Sequence, residues 1–290
     1  MFPPADSRPA SAPDPDPDPR SAVRRVGVGR ARVAGRRPSP VFWLIVAVFL
    51  GTGAALYEGV GGAGVASGVL IFAFVVAGWM ISLCLHEYAH ARAALHGGDT
   101  SVVGKGYLTL NPARYTHPLL SFVLPVAIVV IGGIGLPGGA VYIERHRIPG
   151  RLRHSLVSAV GPATNALFAV VLSVGLDVWA GLVGGLPASV AVSVAVLVMF
   201  QITATLLNLL PVPGLDGYGI VEPWLPERTR RAVAPYAPFG LLAVFALLWQ
   251  PEVGRWFFTA VYWLMELTGM PAWLAWDGLE YFRFWTLSAG

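Results

Sequence analysis

The sequence predicts an all-α polytopic membrane protein with about six transmembrane helices. Of its 290 residues, 55% are hydrophobic and only 12% are charged, whereas a soluble domain carries about 25% charged residues. Long apolar runs recur along the chain, and charged residues collect between them. The net charge of +4 does not indicate a nucleic-acid partner, because the arginines lie beside apolar runs, where they act as topology signals. We therefore expect contact with a lipid bilayer and none with nucleic acid.

Residues 1–40 are the exception to this apolar composition. The repeat PDPDPDP at 13–19 can form neither a helix interior nor a strand ladder, because proline lacks the backbone N–H. Arginines follow this repeat up to residue 37, directly before the first apolar run. We predict a disordered tail rich in Pro, Asp and Arg, and the arginines place it in the cytoplasm.

Apolar runs of roughly spanning length define the predicted transmembrane helices. They lie at 41–57, 66–96, 155–180, 186–210, 236–250 and 253–269. A further apolar run, 119–136, contains glycines and prolines. We predict a re-entrant or interfacial hairpin there, because broken backbone at membrane depth is tolerated where protein buries it. With this hairpin, the end of run 66–96 and the chain after residue 210 share the cytoplasmic half. If 119–136 spans instead, they lie on opposite sides.

The motif HEYAH, residues 86 to 90, places ionisable groups near the end of an apolar run. On a helix, His86 and His90 lie about 40° apart around the axis and about 6 Å apart along it, so both imidazoles can reach one ion. Glu87 is placed to touch a water molecule on that ion. This pattern is typical of zinc peptidases. A structural histidine pair is the alternative, and the membrane disfavours it, because ionisable groups in a bilayer are costly and mark function.

A catalytic zinc ion takes three protein ligands and keeps one open position, so a third ligand must come from elsewhere. The remaining histidines lie at a helix end or in loops: His96, His117, His146 and His154. Asp216, within NLLPVPGLDG, is the stronger candidate. The prolines stop the preceding helix, the glycines let the chain turn, and the predicted topology brings the carboxylate to the half that holds the histidines. Glu222 is the alternative third ligand, as in a different peptidase class.

These motifs together resemble the site-2 protease family of intramembrane zinc metalloproteases, in its small bacterial form. HEYAH and NLLPVPGLDG carry the resemblance, and GPATN at 161–165 is similar to that family's Gly-Pro-x-x-Asn motif. The stretch GDTSVVGKGYLTLNPARYTHP also resembles the segment that follows the histidine helix in small members. The resemblance covers roughly residues 66–220. The soluble loops are too short for the PDZ or CBS domain that some members carry.

The resemblance implies a role for each matching residue. His86, His90 and Asp216 would bind one zinc ion, and Glu87 would be the catalytic base. Asn165 would line the cleft and hydrogen-bond the substrate or the oxyanion, with an interhelical hydrogen bond as the alternative.

The resemblance also implies substrates and a location. The substrates would be single-span membrane proteins, cut within the cell membrane so that a cytoplasmic fragment is released. The segment 138–145, GGAVYIER, occupies the place of a short membrane-associated β-strand that pairs with an extended substrate.

On this interpretation, residues 41–220 form a transmembrane metalloprotease core, and residues 221–290 form C-terminal transmembrane helices and an interfacial aromatic segment. A non-catalytic metal-binding protein or a metal transporter that uses the same histidines is the alternative. Transport predicts polar residues along several spans, and runs 41–57 and 236–250 offer almost none.

Overall fold

A computed structural model describes residues 37–62, 64–115 and 141–287. Within these ranges the chain is mostly helical and contains no β-strand. Its α-helices are α1 (Pro40–Tyr57), α2 (Val65–Gly97), α3 (Ser101–Gly104), α4 (Arg151–Val183), α5 (Ala188–Leu209), α6 (Asp216–Val221), α7 (Glu227–Val233), α8 (Gly240–Leu248), α9 (Pro251–Leu267) and α10 (Ala272–Phe282). The predicted all-α class is confirmed for this part of the chain.

Helices α2 and α5 form the centre of the bundle. The side chains of α5 are buried from Val192 to Ile202 and pack against α2, α4 and α10. Small residues allow the close approach: a Cβ atom on Gly78 of α2 would lie 2.5 Å from Leu197 Cδ2, and one on Gly278 of α10 would lie 2.6 Å from the Val192 carbonyl oxygen.

Among the described residues, five helical stretches are long and apolar enough to cross a membrane: Pro40–Tyr57, Val65–Gly97, Arg151–Val183, Ala188–Leu209 and Glu227–Leu248. The outer faces of α1 and α4 expose large apolar side chains, such as Leu44, Leu167 and Leu182. An apolar surface of this extent is typical of contact with lipid. The chain is therefore a multi-pass membrane protein.

The sixth predicted span, 253–269, is not confirmed. It corresponds to α9, which has 17 residues and carries Glu252, Arg255 and Glu266. A length of 17 residues lies at the lower end of the range for a transmembrane helix, about 17–25 residues, so this span stays a prediction. The predicted span 236–250 overlaps the candidate Glu227–Leu248, whose backbone is 3₁₀-helical at Ala234–Phe239 before α8.

Several predictions fall on residues outside the described ranges. The hairpin at 119–136 and the tail up to residue 36 are among them, as are residues 138–140 of the predicted β-strand. The described rest of that strand, Val141–Glu144, forms neither helix nor strand and leads into a 3₁₀-turn at Arg145–Arg147.

The turn after α5 directs α6 back into the bundle. The Gly214 φ angle of +93° lies in the left-handed region, and a Cβ atom on Gly217 would lie 2.2 Å from the Leu209 carbonyl oxygen. Only glycine fits so close to the end of α5. Helix α6 therefore begins at Asp216, packed against α4.

Candidate metal centre

The two histidines of HEYAH lie on the buried face of α2. His86 and His90 are 6% and 5% exposed, and their Nε2 atoms are 3.0 Å apart. Their spacing of one helical turn puts both rings on one face, as the motif predicts. The predicted ligand atoms of α2 therefore meet at one point.

The Asp216 carboxylate lies beside both histidine nitrogens. Its Oδ2 lies 3.2 Å from His86 Nε2, and its Oδ1 lies 3.3 Å from His90 Nε2. A tetrahedral zinc ion bound at 2.0–2.1 Å separates its ligand atoms by about 3.3 Å. The observed distances are close to that separation, with one Asp216 oxygen beside each histidine. One ligand atom from each of the three residues lies within 4.8 Å of the others, so they form a group able to hold a metal ion.

A hydrogen bond at the Nδ1 atom of each imidazole turns its Nε2 atom towards the candidate metal centre. His86 Nδ1 lies 2.9 Å from Asn165 Oδ1, and His90 Nδ1 lies 2.6 Å from the Val157 carbonyl oxygen. Both partners are acceptors, so each Nδ1 donates its hydrogen. In the neutral tautomer, both Nε2 atoms then present lone pairs to each other and to Asp216. A cation between them satisfies this arrangement, and outer hydrogen bonds of this kind orient metal-binding histidines.

Helix α4 leaves room for the ion at Gly161. A Cβ atom there would lie 2.2 Å from His90 Nε2 and 2.7 Å from His86 Nε2, inside the space that a metal requires. Gly161 is the first residue of GPATN, and the sequence motif alone predicts no role for it. A glycine followed by Pro162 inside an apolar run could have indicated this role, since a glycine within a helix often marks a place where another segment packs closely against the backbone.

Glu87 lies beside the ligands without joining them. Its side chain is 3% exposed, and its Oε2 accepts a hydrogen bond of 2.9 Å from the Val141 backbone N–H. The sequence pattern did not indicate this contact, because it joins residues 54 positions apart. The hydrogen bond holds the carboxylate at the edge of the candidate metal centre.

A cavity of about 360 Å³ opens onto these residues. Its walls come from α2, α4, α5, the turn before α6 and the segment Val141–Ile143. Glu87, Asn165 and Asp216 all line it. The predicted catalytic, cleft-lining and metal-binding residues therefore share one cavity. For Asn165, the observed contact is the interhelical hydrogen bond to His86, and a contact with substrate remains a prediction.

The other candidate ligands lie away from the centre. Glu222 Oε2 pairs with Arg145 Nη1 at 2.8 Å, and His96 Nδ1 lies 2.7 Å from the carbonyl oxygen of Arg92 in its own helix. His154 Nε2 donates to the Ile148 carbonyl oxygen, and His146 is exposed. His117 lies outside the described residues. In the described chain, Asp216 is the acid that joins the two histidines.

Curated relatives cover most of the chain. "Putative zinc metalloprotease Rip2" of Mycolicibacterium smegmatis is 46% identical over 260 residues, which is 86% of this chain and 95% of the relative. A protein of the same name from Mycobacterium tuberculosis H37Rv is 44% identical over 217 residues, 75% of this chain and 82% of the relative. "Putative zinc metalloprotease YwhC" of Bacillus subtilis is 29% identical over 194 residues, 62% of this chain and 82% of the relative. No protein-family model and no solved structure matches the chain.

Proposed function

The chain belongs to the site-2 protease family of zinc metalloproteases, and from this premise we propose that it is an endopeptidase that cuts transmembrane segments of other membrane proteins. The observation that carries the proposal is the group of His86, His90 and Asp216, buried among membrane helices beside Glu87. A peptide bond cut at this centre has to enter the bundle. The substrate must therefore be a segment that can leave the lipid, such as the span of a single-span membrane protein.

His86, His90 and Asp216 would hold one zinc ion, with the fourth position open to the cavity. When bound, zinc acts as a Lewis acid that lowers the pKa of a water molecule and polarises a carbonyl group. Asn165 and the Val157 carbonyl group keep the imidazoles in the tautomer that this binding requires. Gly161 keeps the centre free of side-chain atoms.

Glu87 would move the protons of the reaction. Its carboxylate takes a proton from the attacking water and then delivers it to the leaving nitrogen of the peptide. The Val141 N–H binds Oε2, so Oε1 is the oxygen left to face the reaction. Burial of Glu87 favours proton exchange with substrate over exchange with bulk solvent.

The cavity favours an extended substrate backbone. A helical segment hides its carbonyl groups in hydrogen bonds and must unwind before attack. Val141–Ile143 line the cavity without taking part in a helix or strand. The Val141 N–H and the Tyr142 carbonyl group already bind Glu87 and Lys105, so the Val141 carbonyl group and the Ile143 N–H would be the groups that pair with an unwound segment. With the N-terminus and the centre on the cytoplasmic side of the cell membrane, the cut would release a cytoplasmic fragment.

A cleavage assay in liposomes tests this function. Purified protein loaded with zinc is offered a panel of single-span substrates that carry helix-breaking residues in the span. Wild type and Glu87→Gln are compared, with Glu227→Gln as a matched control in an exposed ion pair. We expect cutting by wild type and Glu227→Gln, loss with a chelator, recovery with added zinc, and a loss of at least about 100-fold in Glu87→Gln.

Equal cutting by wild type and Glu87→Gln would contradict the assigned base. Absence of cutting by zinc-loaded wild type across the panel would contradict the endopeptidase. Zinc uptake into the same liposomes, equal in wild type and Glu87→Gln, would then favour a transporter.

A further inference from the structure

Lys105 binds the segment 141–144 through two hydrogen bonds of its ammonium group. The Nζ atom donates to Ser101 Oγ at 3.0 Å, to the Tyr142 carbonyl oxygen at 3.0 Å and to Glu144 Oε1 at 3.1 Å. A lysine has three such donors, and two of them bind this segment. The ammonium group also lies 4.7 Å from the centre of the Tyr142 ring, a cation–π contact.

Asp99 binds the same segment from the turn after α2. Its carboxylate is fully buried, and its Oδ1 accepts from the Ser101 N–H at 2.9 Å while its Oδ2 accepts from the Glu144 N–H at 2.8 Å. Asp99 and Lys105 therefore both bind the segment 141–144. Because Val141–Glu144 form no ladder or helix of their own, these side chains supply the hydrogen bonds that regular structure would otherwise provide.

The first residue of this segment contacts the carboxylate of Glu87. Val141 directly precedes Tyr142 in the chain. The Tyr142 carbonyl group binds Lys105, and the Val141 N–H donates to Glu87 at 2.9 Å. Val141 and Tyr142 also line the cavity. A displacement of Tyr142 therefore changes both the position of the Val141 N–H and the orientation of Glu87.

We propose that Lys105 is a positioning residue for catalysis, which holds Tyr142 and Glu144 so that the Val141 N–H fixes the Glu87 carboxylate beside the candidate metal centre. The proposal rests on the function proposed above, because it assumes that Glu87 acts as the base. Lys105 touches neither the metal ligands nor the reacting atoms and acts through the backbone at Val141. The bundle does not depend on this contact, since the spans pack through the apolar residues of α2 and α5.

Kinetics of Lys105→Met test the proposal. This change removes the ammonium group and keeps an unbranched apolar stem. We expect kcat to fall about 10-fold, because a displacement of about 1 Å in a catalytic group can cost up to 100-fold, with zinc content unchanged. Arg231→Met is the matched control: it removes an exposed ion pair with Glu227 far along the chain and should leave kcat unchanged.

A double-mutant cycle separates positioning from a loss of folded protein. Glu87→Asp retains a carboxylate but withdraws it from the Val141 N–H. In that background we expect Lys105→Met to have little further effect, because the contact it acts through is already lost. An equal 10-fold fall in both backgrounds would show that Lys105 only maintains the amount of folded enzyme, and it would overturn the proposal.

Hydrogen exchange provides a readout that needs no activity. In wild type the Val141 amide should exchange slowly, because it donates to a buried carboxylate. We expect about 10-fold faster exchange at Val141 in Lys105→Met and no change in Arg231→Met. Unchanged exchange of the Val141 amide in Lys105→Met would overturn the proposal, whatever the cutting rates of the variants. Failure of wild type to cut would instead contradict the proposed function, and exchange would still decide whether Lys105 holds Val141 in place.

Discussion

Helices α2 and α4 have the same length and opposite surroundings. Each contains 33 residues, but 67% of the most apolar stretch of α2 is buried, against 11% for α4. The buried helix carries His86, Glu87 and His90. The exposed helix carries no metal ligand and contributes Val157, Gly161 and Asn165 on its one inner face.

The two helices therefore have different roles at the candidate metal centre: α2 carries two of the candidate ligands, and α4 orients their imidazole rings. The buried helix supplies two candidate ligand atoms, the Nε2 atoms of its two histidines. The lipid-exposed helix supplies an amide oxygen, a carbonyl oxygen and a position without a side chain. A helix can therefore be mostly a lipid-facing wall and still determine, with a few inner residues, which nitrogen atoms face a metal.

The largest expected effect is removal of a ligand from the buried helix. His90→Asn should abolish stoichiometric zinc binding and all cutting, because two ligands remain where a catalytic site needs three. Metal analysis of the purified protein measures the loss. His96→Asn, on the same helix but outside the centre, is the control and should bind zinc like wild type. A zinc content near one per chain in His90→Asn would remove His90 from the ligand set.

The next effect comes from the exposed helix at Gly161. Gly161→Ala places a methyl group 2.2 Å from His90 Nε2 and should reduce zinc affinity by more than about 100-fold, although alanine favours helix by about 1 kcal/mol. Gly175→Ala, on the same helix with no atom within 4 Å of the new Cβ, should leave zinc binding intact. Equal zinc affinity in the two variants would show that α4 does not limit the space at the centre.

A smaller effect is expected for the outer hydrogen bond. Asn165→Ala keeps all three ligands but removes the acceptor for His86 Nδ1. We expect zinc affinity to fall about 10- to 100-fold, the usual cost of such a partner, as measured by competition with a chelator. Thr164→Ala is the control, because that hydroxyl binds the Val160 carbonyl oxygen of its own helix. If the two variants match, Asn165 does not orient His86.

The smallest effect concerns pH and the loop that joins the two helices. Hydrogen bonds from Lys105 and then Arg147 lower the pKa of Glu144 from 4.5 to about 2. Because the folded pKa lies below the ordinary value, Glu144 contributes its stability fully above about pH 4.5 and loses it as the pH falls towards 2. We expect thermal unfolding in detergent to weaken slightly more between pH 5 and pH 3 in wild type than in Glu144→Gln. Parallel behaviour of the two proteins would contradict this contribution.

The sequence by itself determined the helical class and the identity of the metal-binding motif. Apolar runs of spanning length can satisfy their backbone only as helices in lipid, and the four-residue spacing of His86 and His90 fixes their common face. The prolines and glycines around Asp216 identified a turn that presents a carboxylate. These features are local, because each depends on residues within one or two helical turns.

Tertiary structure decided everything that depends on contacts between distant segments. The sixth span predicted at 253–269 forms the 17-residue helix α9 and stays a prediction. The sequence left both Asp216 and Glu222 open as third ligands. The structure places the Asp216 carboxylate 3.2 and 3.3 Å from the two histidine Nε2 atoms, whereas Glu222 pairs with Arg145. The room at Gly161 and the Val141 hydrogen bond to Glu87 join different segments of the chain. No local sequence pattern predicts these contacts, because they form only when the helices and the turns between them pack together.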